Sequence, residues 1–253
     1  MGKLNSSLTR VKPLGDAIIN NHHLVNKLLS LVMQDETFDF GEFVGCNIFY
    51  MNYKDGEERK KEKVLEPSPS HLTAIIDRIL KDEQFRSYVR KRDKSTNGNK
   101  IKRNKLFDLD PEAKKVAKSC FKSSWNKFET NSYPDLFIEN DKNIIVIEGK
   151  RTEKDITSST AYLPNRSQMT RHIENALYYL HKKNETKRVI GFYIVEDTCN
   201  YKEHCTREYF RKSLDLETIQ KDDVLKSTIS NSFYGYTTWQ EISKKLKIVY
   251  PKD

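Results

Sequence analysis

The chain has 253 residues, of which 32% are charged, 36% hydrophobic and 11% aromatic. A chain of this length can bury its own core without disulfides or structural metals, and its apolar content excludes a disordered polymer. Its net charge of +9, from 45 Lys+Arg against 36 Asp+Glu, favours a polyanionic partner, chiefly nucleic acid, although a generically basic surface would have the same composition.

Cys46, Cys120, Cys199 and Cys205 are scattered and form no CxxC pair. With no signal-peptide pattern at the start, this predicts a reduced, cytoplasmic protein. No apolar run approaches the roughly 18 to 20 residues that cross a bilayer, so no membrane partner is expected. The spacing of Cys199, His204 and Cys205 fits no common zinc site.

Residues 1–110 read as mainly helical. The periodicity predicts a helix over 23–33 and a strand over 45–53. A charged stretch, 54–63, leads to Pro67, Ser68, Pro69 and Ser70, a loop from which Ser70 caps a helix over 71–92. Residues 90–105 hold eight Lys or Arg and one acid, and read as a mobile basic loop that either touches phosphates or is simply solvated. Asp110 and Pro111 open a helix to about residue 124. Residues 111–200 form the core region, with strands predicted over 135–139 and 143–148 around an Asn140-Asp141-Lys142 turn. A helix over 167–183 and a strand over 188–196 follow. Residues 201–253 read as helical again, with Thr238 to Glu241 in capping-box form. The whole is read as a single domain.

The segment 132–153, SYPDLFIENDKNIIVIEGKRTE, carries the chemistry. If the chain turns at Asp141-Lys142, Glu139 faces Ile144, Phe137 faces Val146 and Asp135 faces Glu148. Directly opposed side chains share one face with Cβ atoms about 4.5 to 5.5 Å apart. Lys150, two residues on, shares that face. Two carboxylates and an amine thus meet at the open end of a hairpin, and a one-residue slip would disperse them. Opposed carboxylates repel, a divalent cation relieves the repulsion, and oxygen ligands favour Mg²⁺ or Mn²⁺ over zinc. The competing reading is a plain hairpin with Glu148 and Lys150 as a surface ion pair of little value.

Pro134-Asp135, twelve residues, then Glu148-Gly149-Lys150 resembles the PD-(D/E)xK signature of restriction-endonuclease-like nucleases. The resemblance covers residues 112–196, about a third of the chain. It implies an α/β fold of restriction-endonuclease-like type: a mixed β-sheet core flanked by helices, here with helical N- and C-terminal additions. Its first strand would be either residues 126–130 or, across a long insertion, 45–53. Asp135 and Glu148, with the Gly149 carbonyl, would be the metal ligands, and Lys150 would assist the attacking water. The helix after the (D/E)xK strand often serves the site, which makes Gln168 a catalytic candidate and Arg166, Arg171 and His172 candidates for nucleic-acid contact. Many such sites add an upstream acid, for which Glu42, Glu112 and Glu129 are available. Glu153 lies just past the strand and either aids the site or is incidental. Strand alternation turns Arg151 away from Lys150.

The expected function is a Mg²⁺- or Mn²⁺-dependent endonuclease acting on double-stranded DNA, of a size suited to a restriction or phage-defence enzyme and to a homodimer. The alternatives are a non-cleaving nucleic-acid-binding module of the same fold, an RNA- or structure-specific nuclease, and a protein-interaction scaffold that is basic by composition only.

Overall fold

The structure, a computed structural model, describes all residues except 1–6, 34–38, 51–61, 119–120, 122–123, 158, 161, 218, 220 and 252–253. The fold is mixed α/β, with a five-stranded mixed sheet flanked by helices. A π-helical turn, Ser7–Val11, runs into α1 (Lys12–Asn20), followed by α2 (Leu24–Val32) and β1 (Asn47–Tyr50). Helices α3 (Pro69–Lys81), α4 (Glu83–Arg92), α5 (Asn97–Phe107) and α6 (Pro111–Ala117) come next. Then follow β2 (Leu136–Glu139), β3 (Asn143–Gly149), α7 (Gln168–Lys183) and β4 (Arg188–Val195). The chain closes with α8 (Arg207–Asp215), α9 (Asp223–Asn231), β5 (Phe233–Thr238) and α10 (Trp239–Leu246).

The sheet order is β1-β2-β3-β4-β5. Both β1 with β2 and β2 with β3 are antiparallel, whereas β3, β4 and β5 run parallel. A tight turn suffices for the β2–β3 hairpin, and α7 makes the crossover that a parallel β3–β4 pair requires. Strand β3 is buried at every position, which is why its sequence is an unbroken apolar run instead of an alternation.

Alternation along β3 divides the core. Ile145 and Ile147 join Leu136, Ile138 and the apolar faces of α1, α2 and α10 on one side. Ile144 and Val146 join Phe137 and the apolar stripe of α7 on the other. A third cluster, Leu72, Ile75, Ile76, Phe85, Leu106 and Phe128 among others, ties α3 to α6 together. Each fully buried Ile, Leu or Phe contributes about 1.5 to 3 kcal/mol before chain entropy is counted.

The hairpin register is the expected one, with Glu139 opposite Ile144 and Phe137 opposite Val146. Ser167 caps α7, its hydroxyl accepting from Thr170 N–H at 3.0 Å. The Thr238–Glu241 capping box is formed. The first strand of the sheet is the distant candidate, β1, while residues 124–126 form a 3₁₀ turn.

Other expectations need correction. The helix predicted over 71–92 is two helices. Ser68, not Ser70, caps the first, with Pro69 at its first position. Asp82 then ends it, and its carboxylate accepts from Phe85 N–H at 2.9 Å to start α4. The basic loop is largely helix: α5 occupies its second half, and Arg103 is buried against Asp93, Trp125 and Lys127. The Asp110-capped helix stops at Ala117. Residues 201–253 are not purely helical, because β5 completes the sheet there. Most of the charged stretch 54–63 lies outside the described residues.

Candidate functional site

Asp135 stands one residue before β2. Since Leu136 pairs with Ile147, continuing the register sets Asp135 opposite Glu148. Gly149 N–H donates to Asp135 Oδ2 at 2.8 Å. Glu148 is 3% exposed and Lys150 5%. Lys150 Nζ donates to Glu148 Oε1 at 2.9 Å and to Gln168 Oε1 at 3.3 Å. His172 Nε2 lies 3.1 Å from Glu148 Oε2, and the His172 ring is fully buried. The structure therefore brings together Asp135, Glu148, Lys150, Gln168 and His172.

The backbone under these groups is pinned from three sides. Lys150 N–H donates to Ile194 O at 2.8 Å. The Trp239 indole N–H donates to Lys150 O at 3.0 Å. Gly149 faces the opposite side from Glu148, and a Cβ there would stand 2.9 Å from both Trp239 and Val11 side-chain atoms. In an extended strand the N–H and C=O of one residue point to the same edge. The Gly149 carbonyl therefore leans towards Asp135, as its N–H does.

Charge is distributed unevenly. Burial and the neighbouring Glu148 push the Asp135 carboxyl well above the usual carboxylate range. Glu148 goes the other way: burial would raise it, but the Lys150 charge and the His172 hydrogen bond outweigh that and hold it low. Lys150 is held protonated, because Glu148 more than offsets the burial that disfavours its charge. Burial lowers His172, which keeps the imidazole neutral. One negative charge is thus stabilised, whereas burial and Glu148 disfavour a second one at Asp135 despite Lys150 and the Gly149 N–H.

Could these residues hold a divalent cation? Among the described residues no group of three or more His, Cys, Asp or Glu is arranged to hold a metal. What converges is two carboxylates and a backbone carbonyl, an oxygen-only set of the kind a hard cation takes. Each Glu148 oxygen carries one hydrogen bond and so keeps a lone pair for a cation. A bound cation would favour the ionised form of Asp135 that burial and Glu148 disfavour. The donor chemistry fits.

The remaining candidates are placed elsewhere. Arg166 does not face solvent or a phosphate. It is 1% exposed and its guanidinium is consumed by carboxylates: Nε and Nη2 hold Glu129 at 2.6 and 3.0 Å, and Nη1 reaches Glu174 at 2.9 Å. His71, Glu217 and Lys221 complete this buried cluster. Glu129 therefore is not a site acid. Glu42 is exposed, and its carbonyl accepts from Asn140 at the turn end of the hairpin, away from Asp135. Glu112 is exposed in the first turn of α6, which packs on α5. His172 is a carboxylate partner inside the core, not a surface contact. Arg171 is half-buried, with Nε unpartnered, and it feels the charges of both Glu129 and Glu148. Glu153 is exposed; its charge reaches Asp135 and Lys150, but its carboxylate accepts from Arg151 and Thr152 N–H. Arg151 points away from Lys150 as expected, donating to Thr9 Oγ1 at 2.7 Å.

The sequence reading placed His172 on the helix face it shares with Gln168, four residues before it, but gave it to nucleic acid instead of to Glu148. Trp239, ninety residues from the hairpin in sequence, escaped that reading, and no local signal pointed to it. No helix among the described residues is long and apolar enough to cross a membrane. Comparisons of this chain with protein-family models, with curated proteins and with solved structures return no match.

Proposed function

We propose that this chain is a divalent-metal-dependent nuclease of the restriction-endonuclease-like type, hydrolysing phosphodiester bonds in DNA. One observation carries the reading: Asp135, Glu148 and Lys150 meet on one face at the open end of a buried hairpin. A structural hairpin gains nothing from burying these charges.

Asp135, Glu148 and the Gly149 carbonyl would hold Mg²⁺ or Mn²⁺. When bound, such a cation polarises a phosphodiester and lowers the pKa of a water. Lys150, hydrogen-bonded to Glu148, stabilises negative charge that develops on the phosphoryl oxygens and assists the attacking water. Gln168, already within hydrogen-bond distance of Lys150, orients that ammonium. His172 fixes the rotamer of Glu148 from inside the core. Arg171, half-buried on α7 and within electrostatic reach of Glu148, is the cation we assign to the substrate backbone.

A second reading draws on the fact that both Glu148 oxygens are engaged by protein groups: a module that grips nucleic acid without cutting would tolerate this arrangement. Incubating the chain with duplex DNA, single-stranded DNA and RNA, in Mg²⁺ or Mn²⁺ and in EDTA, separates the two. Metal-dependent cutting of DNA supports the nuclease. Salt-sensitive binding with no cutting of any substrate supports the module.

A further inference from the structure

Beside the candidate site is a cavity of about 240 Å³ between α8 and the segment that follows β3. Ile156 and Phe210, both buried, and the outward-facing Leu216 give it apolar walls. His204 and Tyr209 supply two rings whose centroids are 4.5 Å apart with planes 30° from parallel. His204 Nδ1 is 2.7 Å from Asp155 Oδ1, which fixes the imidazole. A cavity of about 150 Å³ admits benzene, so this one has room for a two-ring aromatic.

The cavity and the site share a wall. Ser167, which lines the cavity, directly precedes Gln168, the acceptor of Lys150 Nζ. Gln168 N–H also donates to Thr157 O at 3.0 Å, next to Ile156. The mouth is polar. Asn165 is tethered by Nδ2 to Leu216 O at 3.2 Å and presents its carbonyl oxygen. Lys212 pairs with Glu208 at 2.7 Å, but both are mostly exposed, so exchanging that partner for a phosphate costs little.

We propose that this cavity takes a nucleobase from the substrate strand; the proposal rests on the nuclease reading and deepens it. Aromatic and apolar walls stack a base whatever its identity. An aliphatic ligand would leave the polar mouth unused, whereas a base presents a polar edge on a planar apolar face, with its phosphate towards Lys212. A paired, stacked base cannot enter. The substrate nucleotide beside the cleaved bond is therefore unpaired or turned out of its duplex.

The test uses the full chain in EDTA, with dAMP as probe and ligand-observed NMR titration as readout. Deoxyribose 5-phosphate and indole serve as comparison ligands. Ser213 lines the cavity, so Ser213→Trp fills it, Tyr209→Leu removes a ring, and thermal melting checks that each variant is folded. We expect saturable dAMP binding that deoxyribose 5-phosphate does not match and that weakens roughly tenfold in either folded variant, as loss of one stacking contact entails. Equal binding of the sugar phosphate, binding of indole without dAMP, or undiminished binding in both variants would overturn the proposal. A chain that binds dAMP but cleaves nothing would sink the nuclease reading alone.

Discussion

Arg166→Met removes the central cation of the buried charge cluster while keeping an unbranched apolar stem. The guanidinium holds Glu129 through two bonds of 2.6 and 3.0 Å, Glu174 at 2.9 Å and Glu217 at 3.5 Å, and these side chains are 5% exposed or less. Without it, the three carboxylates keep only Lys221, His71 and the electrostatic reach of Arg171. Removing one partner from a buried ion pair costs about 3 to 5 kcal/mol, a large share of the roughly 5 to 15 kcal/mol that holds a domain. In a chain of this size the melting point should fall by roughly 6 to 20 °C.

The pH dependence of the loss gives the sharper signature. In the wild type, burial would raise Glu129, but the Arg166 charge and His71 outweigh it and hold the carboxyl far below its usual range. Its contribution is therefore present above the unfolded pKa of about 4.3 and is lost as pH falls below that. With Arg166 gone, burial is left nearly unopposed, the carboxyl moves up, and protonation relieves the variant. Urea denaturation at pH 7.5 and pH 5.5 should show a deficit that shrinks at the lower pH. A deficit under about 1 kcal/mol at pH 7.5, or one of equal size at both pH values, would refute the assignment of this cluster as a charge-compensated buried network.

Gly149→Ala should cost about 1 to 3 kcal/mol by overpacking Trp239 and Val11; an unchanged urea midpoint would count against that close approach. His172→Leu should slow single-turnover cleavage about 10- to 100-fold while His172→Gln, which restores a donor, retains most of the rate; equal rates in the two would remove His172 from the support of Glu148. Asp93→Asn should destabilise the chain by about 1 to 2 kcal/mol at neutral pH. Burial would raise Asp93, but its bonds from Ser95 and Arg103 prevail and hold it at about 2. The gap between wild type and this variant, followed by denaturation against pH, should therefore close as pH falls from about 4 to about 2, and a gap that persists there would disprove the depressed carboxyl.

What could be read in the sequence was what is local. The hairpin register followed from an apolar run, a turn composition and the two-residue period, and it predicted the face shared by Asp135, Glu148 and Lys150. The Ser167 and Thr238 caps were equally local. Long-range features were not legible. β1 pairs with β2 across more than eighty residues, so its place as first strand could not be chosen over residues 126–130. β5 was missed because Phe233, Tyr234, Gly235 and Tyr236 carry no clean alternation; Gly235 sits at φ +89 where the ladder with β4 shifts register. Arg166 and His172 were read as solvent-facing because charge and polarity normally mark a surface. Here their partners, Glu129 and Glu148, come from other elements and neutralise the cost of burial. The division of residues 71–92 at Asp82 reflects a side chain that prefers capping to continuing a helix.

Lys150→Met tests the central claim most directly, because it removes the ammonium but keeps the side-chain length beneath Gln168 and Glu148. Cleavage of plasmid DNA in Mg²⁺ or Mn²⁺ and salt-dependent DNA binding should be measured side by side on wild type and variant. The account predicts metal-dependent cutting by the wild type, abolished in EDTA, and a variant that binds DNA undiminished but cuts at least about 100-fold more slowly. Wild-type rates in the variant, or wild-type cutting that persists in EDTA, would contradict it.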